Sequence, residues 1–216
     1  GIGEPILLGQ ESVIKATIAE LGLDYQPRII NPWKSPRAEA YARILFKRRQ
    51  RKGITLPEAR ELARRPNYFG LLMVQSADAD AFISGLTTNY VDALQPAFQV
   101  IGTRPEVRRA AALYIMIIRD RVFFFADCAV NIEPSAEDLA DIAELSAEVA
   151  QNFDIATRIA MLSFSNFGSV GHVSPRTVAQ AVKMLKKRQP QLQVDGEMSA
   201  DAAVVPELQG RDVKRL

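Results

Sequence analysis

The sequence predicts an α/β fold with mostly parallel sheets flanked by helices. Two observations carry this expectation. Short apolar runs closed by Gly, Asn or Ser clusters alternate with longer segments whose apolar residues recur at helical spacing. The first thirty or so residues also read strand, helix, strand, and a helix between two strands suggests a parallel βαβ connection. With 216 residues, 48% hydrophobic and 24% charged, the chain can bury a sizeable core in one large or two small domains.

The elements follow in order. Pro5-Ile6-Leu7-Leu8 is a short apolar strand closed by Gly9. Val13, Ile14, Ile18 and Leu21 mark an amphipathic helix that Gly22 stops. Arg28-Ile29-Ile30 is a second strand, ended by Asn31-Pro32. A helix spans Arg37 to Lys52 and ends at Gly53. Thr55 and Glu58 then form a capping-box pattern, in which the hydroxyl accepts a first-turn amide and the carboxylate reaches back. Pro66-Asn67 breaks that helix, and a more apolar one follows through Phe69, Leu72 and Met73. Ala81-Phe82-Ile83 reads as a strand opening into Ser84–Asn89, and Tyr90 to Ile101 keeps a helical period despite Pro96.

Ala110–Ile118 and Val122–Ala126, joined at Arg119-Asp120-Arg121, have the pattern of a buried β-hairpin. Ser135 is the expected N-cap of the next helix, with Asp138 three residues on. Ile159–Phe164 reads as a buried strand that empties into a polar loop. Ser174-Pro175 is an N-cap and N1 pair for a further helix. Leu192–Val194 is the last short strand, followed by Asp195-Gly196-Glu197. The segment from Gly102 to Arg108 marks the expected boundary between lobes.

Composition narrows the function classes. The net charge of +2 gives no global reason to expect nucleic acid. One cysteine, Cys128, and one histidine, His172, leave too few ligands for a structural zinc site. A lone cysteine suits a reducing compartment. The start of the chain has no basic region ahead of its short apolar stretch, so it does not read as a signal peptide. The longest apolar run, Ala110–Ile118, is about half of the roughly 18 to 20 residues that a membrane span needs. A soluble, cytoplasmic protein without nucleic-acid or membrane partners is therefore expected.

Several polar constellations remain. Lys47-Arg48-Arg49-Gln50-Arg51-Lys52 ends a helix, where cations favour the C-terminal dipole and form a solvated face. Within it one arginine, such as Arg49, could reach an anionic ligand through its bidentate guanidinium. The loop Ser163–Ser174 follows a strand and precedes a helix, the place where ligands bind in open α/β sheets. Its serines, Asn166 and glycines offer hydroxyls and backbone amides, and a helix N-terminus favours an anion. An ordinary βα turn with good caps is the alternative. Ser84–Asn89 has the same placement and the same two readings. His172 is polar surface or a general base, Cys128 a small buried filler or a nucleophile. Asp195-Gly196-Glu197 is a turn or a pair of strand-end carboxylates.

Taken together, these segments resemble the phosphate acetyltransferases (phosphotransacetylases). The resemblance rests on Ala79-Asp80-Ala81, Gly85, Asp92 through Pro96 with Gln99-Val100-Ile101, Ala126 through Asn131 with Glu137 to Ala143, and Asp195-Gly196-Glu197 followed by Asp201-Ala202-Ala203. It covers essentially the whole chain. Ser163-Phe164-Ser165-Asn166-Phe167-Gly168-Ser169 and Thr88-Asn89-Tyr90 are most similar to the phosphotransacetylase-like C-terminal domain of bacterial NADP-dependent malic enzymes. The resemblance implies two α/β lobes, residues 1–103 and 104–216, with a ligand cleft between them. It implies acetyl-CoA or CoA as ligand, no tightly bound cofactor, a malic-enzyme catalytic domain in cis, and a homodimer or higher homo-oligomer. The residues it marks for acyl-CoA or phosphate binding are Arg49, Thr88, Asn89, Gln95, Asn131, Ser163, Ser165, Asn166, Gly168 and Ser169.

The departures from the family pattern bear on function. Family members carry an arginine just before the proline of the Asp92–Pro96 segment, and this chain has Gln95. That exchange removes a charge-assisted hydrogen bond of roughly 1.5–3 kcal/mol, about one to two powers of ten in affinity. The family's first strand and helix, and an Asp-Leu-Ser-Arg-Gly stretch near its C-terminus, have no counterpart here. The expectation is a fragment or a shortened version that acts as an acetyl-CoA-responsive regulatory domain of a malic enzyme. An active phosphate acetyltransferase and a structural dimerisation module are the alternatives, and no catalytic residue is assigned.

Overall fold

The computed structural model describes residues 3–205 and 207–208, so the two ends of the expected lobes lie outside the described residues. The chain divides into two compact units, Gly1–Arg104 and Pro105–Leu216.

The first unit begins with β1 (Ile6–Leu8), α1 (Glu11–Glu20) and β2 (Arg28–Ile30). The two strands pair in parallel, Ile6 opposite Arg28 and Leu8 opposite Ile30, as the helix between them requires. Helix α1 forms, but it buries none of its side chains and Val13 is exposed. Helix α2 (Ala38–Arg49) buries Ala38, Tyr41, Ala42 and Leu45, the i, i+3, i+4, i+7 stripe of a core-facing helix. A short 3₁₀ turn, Gln50–Lys52, and Gly53 in the left-handed region (φ +91°) end it. Thr55 caps α3 (Leu56–Leu62) through the expected capping box: Glu58 accepts from the Thr55 amide at 2.8 Å, and Thr55 accepts from the Glu58 amide at 3.4 Å. Glu39 on α2 holds Arg60 on α3 through two hydrogen bonds of 2.9 and 3.0 Å.

Helix α4 (Pro66–Gln75) starts at the proline and delivers Phe69, Leu72 and Met73 to the core formed with Tyr41, Leu45 and Val100. Phe69 is 1% exposed and meets Tyr41 edge-on, with ring centroids 5.0 Å apart. The expected strand at Ala81–Ile83 does not form. Among the described residues no strand pairs with it; the Phe82 ring rests on Gly70, and Ile83 is 95% exposed. Helix α5 (Tyr90–Val100) does form, with Pro96 inside it.

In the second unit β3 (Leu113–Ile118) and β4 (Arg121–Ala126) make the expected antiparallel hairpin, turned at Arg119 (φ +54°). It is not buried, however. Both strands are apolar on both faces, yet Tyr114, Ile117 and Phe125 are exposed. Phe124 packs on Phe153, with centroids 6.0 Å apart, and no third strand joins this sheet among the described residues. Helix α6 (Ala136–Gln151) carries the Ser135–Asp138 capping box. Its Ala140 and Ala143 belong to one core with Val178, Ala181, Val182 and Leu185 of α7 (Val173–Arg188), small side chains letting the two helices approach closely.

Strands β5 (Arg158–Leu162) and β6 (Gln193–Met198) pair in parallel. The expected buried strand at Ile159–Phe164 is only partly buried, since of β5 only Met161 is enclosed and Phe164 is 63% exposed. Strand β6 runs further than expected and includes Asp195-Gly196-Glu197, which is thus strand and not a closing turn. Helix α8 (Ala200–Val204) follows. At the start of α6, Arg108 meets Glu137 and Asp141, Arg109 meets Asp138, and Arg188 meets both Glu137 and Asp141. This network secures the segment that enters the second unit. Two of the three sheets are parallel and helices flank them, so the molecule is α/β. Among the described residues no helix is long and apolar enough to cross a membrane.

Candidate functional site

The expected ligand residues divide between the units: Arg49, Thr88, Asn89 and Gln95 in the first, the other six in the second. In the first unit they gather around the start of α4. A proline at position 96 has no N–H, so the Asp92 carbonyl four residues earlier loses its helical donor. The Asn67 side-chain amide fills that place, donating to the Asp92 carbonyl at 3.1 Å. The other end of Asn67 accepts from the Ser84 hydroxyl at 2.7 Å. The proline therefore opens a position through which α4 ties down the loop Ser84–Asn89.

Asn89 closes the same loop as N-cap of α5. Its Oδ1 accepts from the Asp92 amide at 2.9 Å, and its Nδ2 donates to the Asp92 carboxylate at 2.5 Å. Its side chain is thus committed to capping. The side chains of Thr88 and Gln95 are exposed and make no hydrogen bond with the described residues. Arg49 is half-buried, and its guanidinium makes neither hydrogen bond nor ion pair with them. Its positive charge acts on Tyr68, whose phenol is raised mainly by burial while Arg65 and Arg49 pull it down. Tyr68 donates to Gln99 on α5 at 2.8 Å. Of the rest of the basic run, Arg48 donates to the Ile101 carbonyl at the end of α5, Gln50 donates to the Lys47 carbonyl at 3.3 Å, and Lys47, Arg51 and Lys52 are exposed.

In the second unit Asn131 is engaged within the protein. Its side-chain amide donates to the Ala110 carbonyl at 2.9 Å and to Asp127 at 2.5 Å. Asp127 also accepts from the amides of Ala112, Ala129, Val130 and Asn131. Burial raises the Asp127 carboxyl, but the amides of Ala129 and Ala112, with both donors of Asn131, outweigh it and hold the group below the usual carboxylate range. A carboxyl depressed in the folded state stabilises above its unfolded pKa, and that contribution is lost as pH falls through the folded value. Asp127→Asn is therefore expected to lower the melting temperature at neutral pH. The gap to the wild type should close in thermal melts taken progressively toward about pH 3.

The loop Ser163–Ser169 is more self-contained than the sequence suggests. Its amides are not free: Asn166 donates to the Ser169 hydroxyl at 3.0 Å, Phe167 to the Glu197 carbonyl at 2.9 Å, and Gly168 to the Glu197 carboxylate at 2.6 Å. Val170 donates to the Ser165 hydroxyl at 3.1 Å, and Asn166 Oδ1 accepts from the Ser199 amide at 2.7 Å. Ser165 is fully buried, whereas Ser169 and Gly168 are exposed and Ser163 is half-buried. What the loop can present to a ligand is thus side-chain oxygens on a rigid frame, not an amide cradle. Sequence reasoning passed over Glu197 as a site residue. The Asp-Gly-Glu spacing was the only signal, and it reads equally as a turn.

The N-cap of helix α7 lies two residues before the expected Ser174. His172 is the cap, its Nδ1 accepting from the Ser174 amide at 3.2 Å. Its ring lies 5.8 Å from that of Phe164, so the imidazole caps a helix. Cys128 is exposed, not buried, and its thiol donates to the Phe125 carbonyl at 3.0 Å. Among the described residues no group of His, Cys, Asp and Glu is placed to hold a metal ion.

Comparison with known proteins agrees with this architecture. Residues 1–215 match the family model described as "Phosphate acetyl/butaryl transferase". A phosphate acetyltransferase of Bacillus subtilis is 39% identical over 94% of this chain and 62% of its own length. The NADP-dependent malic enzyme of Escherichia coli is 38% identical over 95% of this chain and 28% of its own length. A phosphotransacetylase structure from Streptococcus pyogenes superimposes with a TM-score of 0.85 at 37% identity, covering 97% of this chain and 64% of that one. The chain thus spans less than two thirds of each of these proteins.

Proposed function

This chain belongs to the phosphate acetyl/butyryl transferase family, and from that premise we propose that it is an acetyl-CoA-responsive regulatory domain of a malic enzyme. The observation that carries the reading is Gln95. The residue before Pro96 is solvent-exposed and its side chain makes no hydrogen bond with the described residues, so that amide is open to a ligand. Yet it is an uncharged amide where the family pattern has an arginine. Acetyl transfer between CoA and phosphate develops charge on phosphate and carbonyl oxygens, which fixed cations stabilise. With Arg49 as an uncommitted guanidinium and Gln95 neutral, the first unit suits recognition of an anionic ligand better than turnover. The similarity to the malic enzyme of Escherichia coli supports a catalytic domain in the same polypeptide, and the family supports a homodimer.

The acyl-CoA or phosphate moiety would meet Arg49, Thr88 and Gln95 in the first unit. In the second unit, taken by itself, the side-chain oxygens of Ser163 and Ser169 are the candidates for such a contact. Arg49→Gln is expected to weaken acetyl-CoA binding about tenfold or more, the loss of one charge-assisted hydrogen bond, without changing the melting temperature. Calorimetric titration with acetyl-CoA reads the first quantity.

The similarity to phosphate acetyltransferases, at 39% identity for that of Bacillus subtilis, favours a second reading, an active acetyltransferase. Acetyl-CoA titration and an acetyl phosphate formation assay on one sample separate the two. Saturable binding without turnover is the expected result. Measurable acetyl phosphate formation would establish the second reading instead, and the absence of both signals would leave a structural module.

A further inference from the structure

We propose that Glu197 is the positioning residue of the Ser163–Ser169 loop: its carboxylate fixes the corner from which Ser163 and Ser169 face a ligand. This rests on the reading of that loop as part of the acyl-CoA or phosphate site. The path from sequence to this role begins with strand pairing. Strand β6 pairs with β5 as far as Met161 opposite Gly196, and the next pair is Leu162 opposite Met198. Glu197 is the residue left over. A bulge of this kind takes one side chain out of the ladder and re-aims it, and here it turns a carboxylate into the loop that β5 feeds.

The environment of that carboxylate is unusual. Glu197 is 4% exposed, and no lysine, arginine or histidine among the described residues pairs with it. Its side-chain donors are neutral: the Gly168 amide at 2.6 Å and the Ser165 hydroxyl at 3.3 Å. Enclosing a carboxylate without a cation is costly, and an apolar side chain of the same volume avoids that cost. Packing alone therefore does not account for a glutamate here. What it holds does. Phe167 (φ +47°) and Gly168 (φ +86°) are consecutive left-handed residues, a conformation that a phenylalanine disfavours. The Glu197 carbonyl takes the Phe167 amide and its carboxylate takes the Gly168 amide, so one residue clamps both halves of the corner.

The clamp passes outward through Ser165. Its hydroxyl contacts Glu197, accepts from the Val170 amide at 3.1 Å and lies 3.3 Å from the Ser169 hydroxyl. Ser169 in turn accepts from the Asn166 amide at 3.0 Å. The side chains offered to a ligand are thus indexed to one buried carboxylate.

Glu197→Ala and Glu197→Gln test this by amide exchange at Phe167, Gly168 and Val170 together with acetyl-CoA calorimetry. In Glu197→Ala those amides are expected to exchange at least about a hundredfold faster while α6 and α7 keep their protection. The acetyl-CoA Kd is expected to rise about tenfold or more. Glu197→Gln keeps an acceptor for Gly168, and both readouts should stay within about threefold of wild type. If Glu197→Ala does not fold, Glu197→Asp, one methylene shorter, carries the same test. An alanine variant with wild-type exchange, or with a mobile loop but wild-type Kd, overturns the positioning role alone. A wild-type protein that binds no acetyl-CoA sinks the ligand reading and the positioning role together.

Discussion

Gly196→Ala is expected to destabilise the second unit by about 3 kcal/mol, near the upper end for overpacking combined with backbone strain. A Cβ at this position would stand 2.5 Å from the Met161 carbonyl oxygen and 3.1 Å from the Met161 Cβ. The nearest atom is backbone, so no rotamer change relieves the contact. The φ of +133° is one that side chains other than glycine rarely adopt. Relief requires β6 to move away from β5, which draws Glu197 out of the loop it holds. Denaturation followed by circular dichroism should show a lower midpoint, and acetyl-CoA binding should weaken along with it. A variant as stable as wild type would mean that the close approach of β5 and β6 at this point is not a constraint.

Phe69→Ala is expected to cost the first unit about 3–5 kcal/mol, the range for truncating a fully enclosed aromatic. Phe69 lies between α2 and α4 with 1% of its surface exposed and its ring against Tyr41. The cavity left behind is walled by helices whose other contacts hold them in place, so collapse is incomplete. The protein has one tryptophan, Trp33, and it lies in this unit. Its emission therefore reports the transition of interest. A shift in the denaturation midpoint equivalent to less than 1 kcal/mol, well below the range for such truncations, would show that the core reorganises around the gap.

The helices were the most legible part of the sequence. Thr55–Glu58 and Ser135–Asp138 fix helix starts by local chemistry alone, and both capping boxes stand in the structure. Likewise the stripe Ala38, Tyr41, Ala42, Leu45 faces the core it was expected to face. Strands were harder, because a run of apolar residues says nothing about neighbours. Ala110–Ile118 and Val122–Ala126 were read as a hairpin, and Leu113–Ile118 pairs with Arg121–Ala126, yet the two strands remain largely exposed because no third strand joins them among the described residues. Ala81–Ile83 has strand composition and no strand to join. The site was legible as a set of loops and illegible in its wiring. Amides that composition presents as free in Ser163–Ser169 are taken by Ser169 and by Glu197, the latter 29 residues from Gly168. The bond from the Asn131 side chain to Asp127 was likewise not legible in the sequence.

Pro96 has a consequence for motion as well as for architecture. Because Asn67 occupies the carbonyl that the proline leaves vacant, the first turn of α5 and the Ser84–Asn89 loop share one set of fastenings. Neither can fray without releasing the other. Thermal opening in this region is then a single concerted event involving α4, α5 and the loop, instead of independent loop flicker. A ligand that engages Thr88 or Gln95 would, by holding one strap, quiet all three.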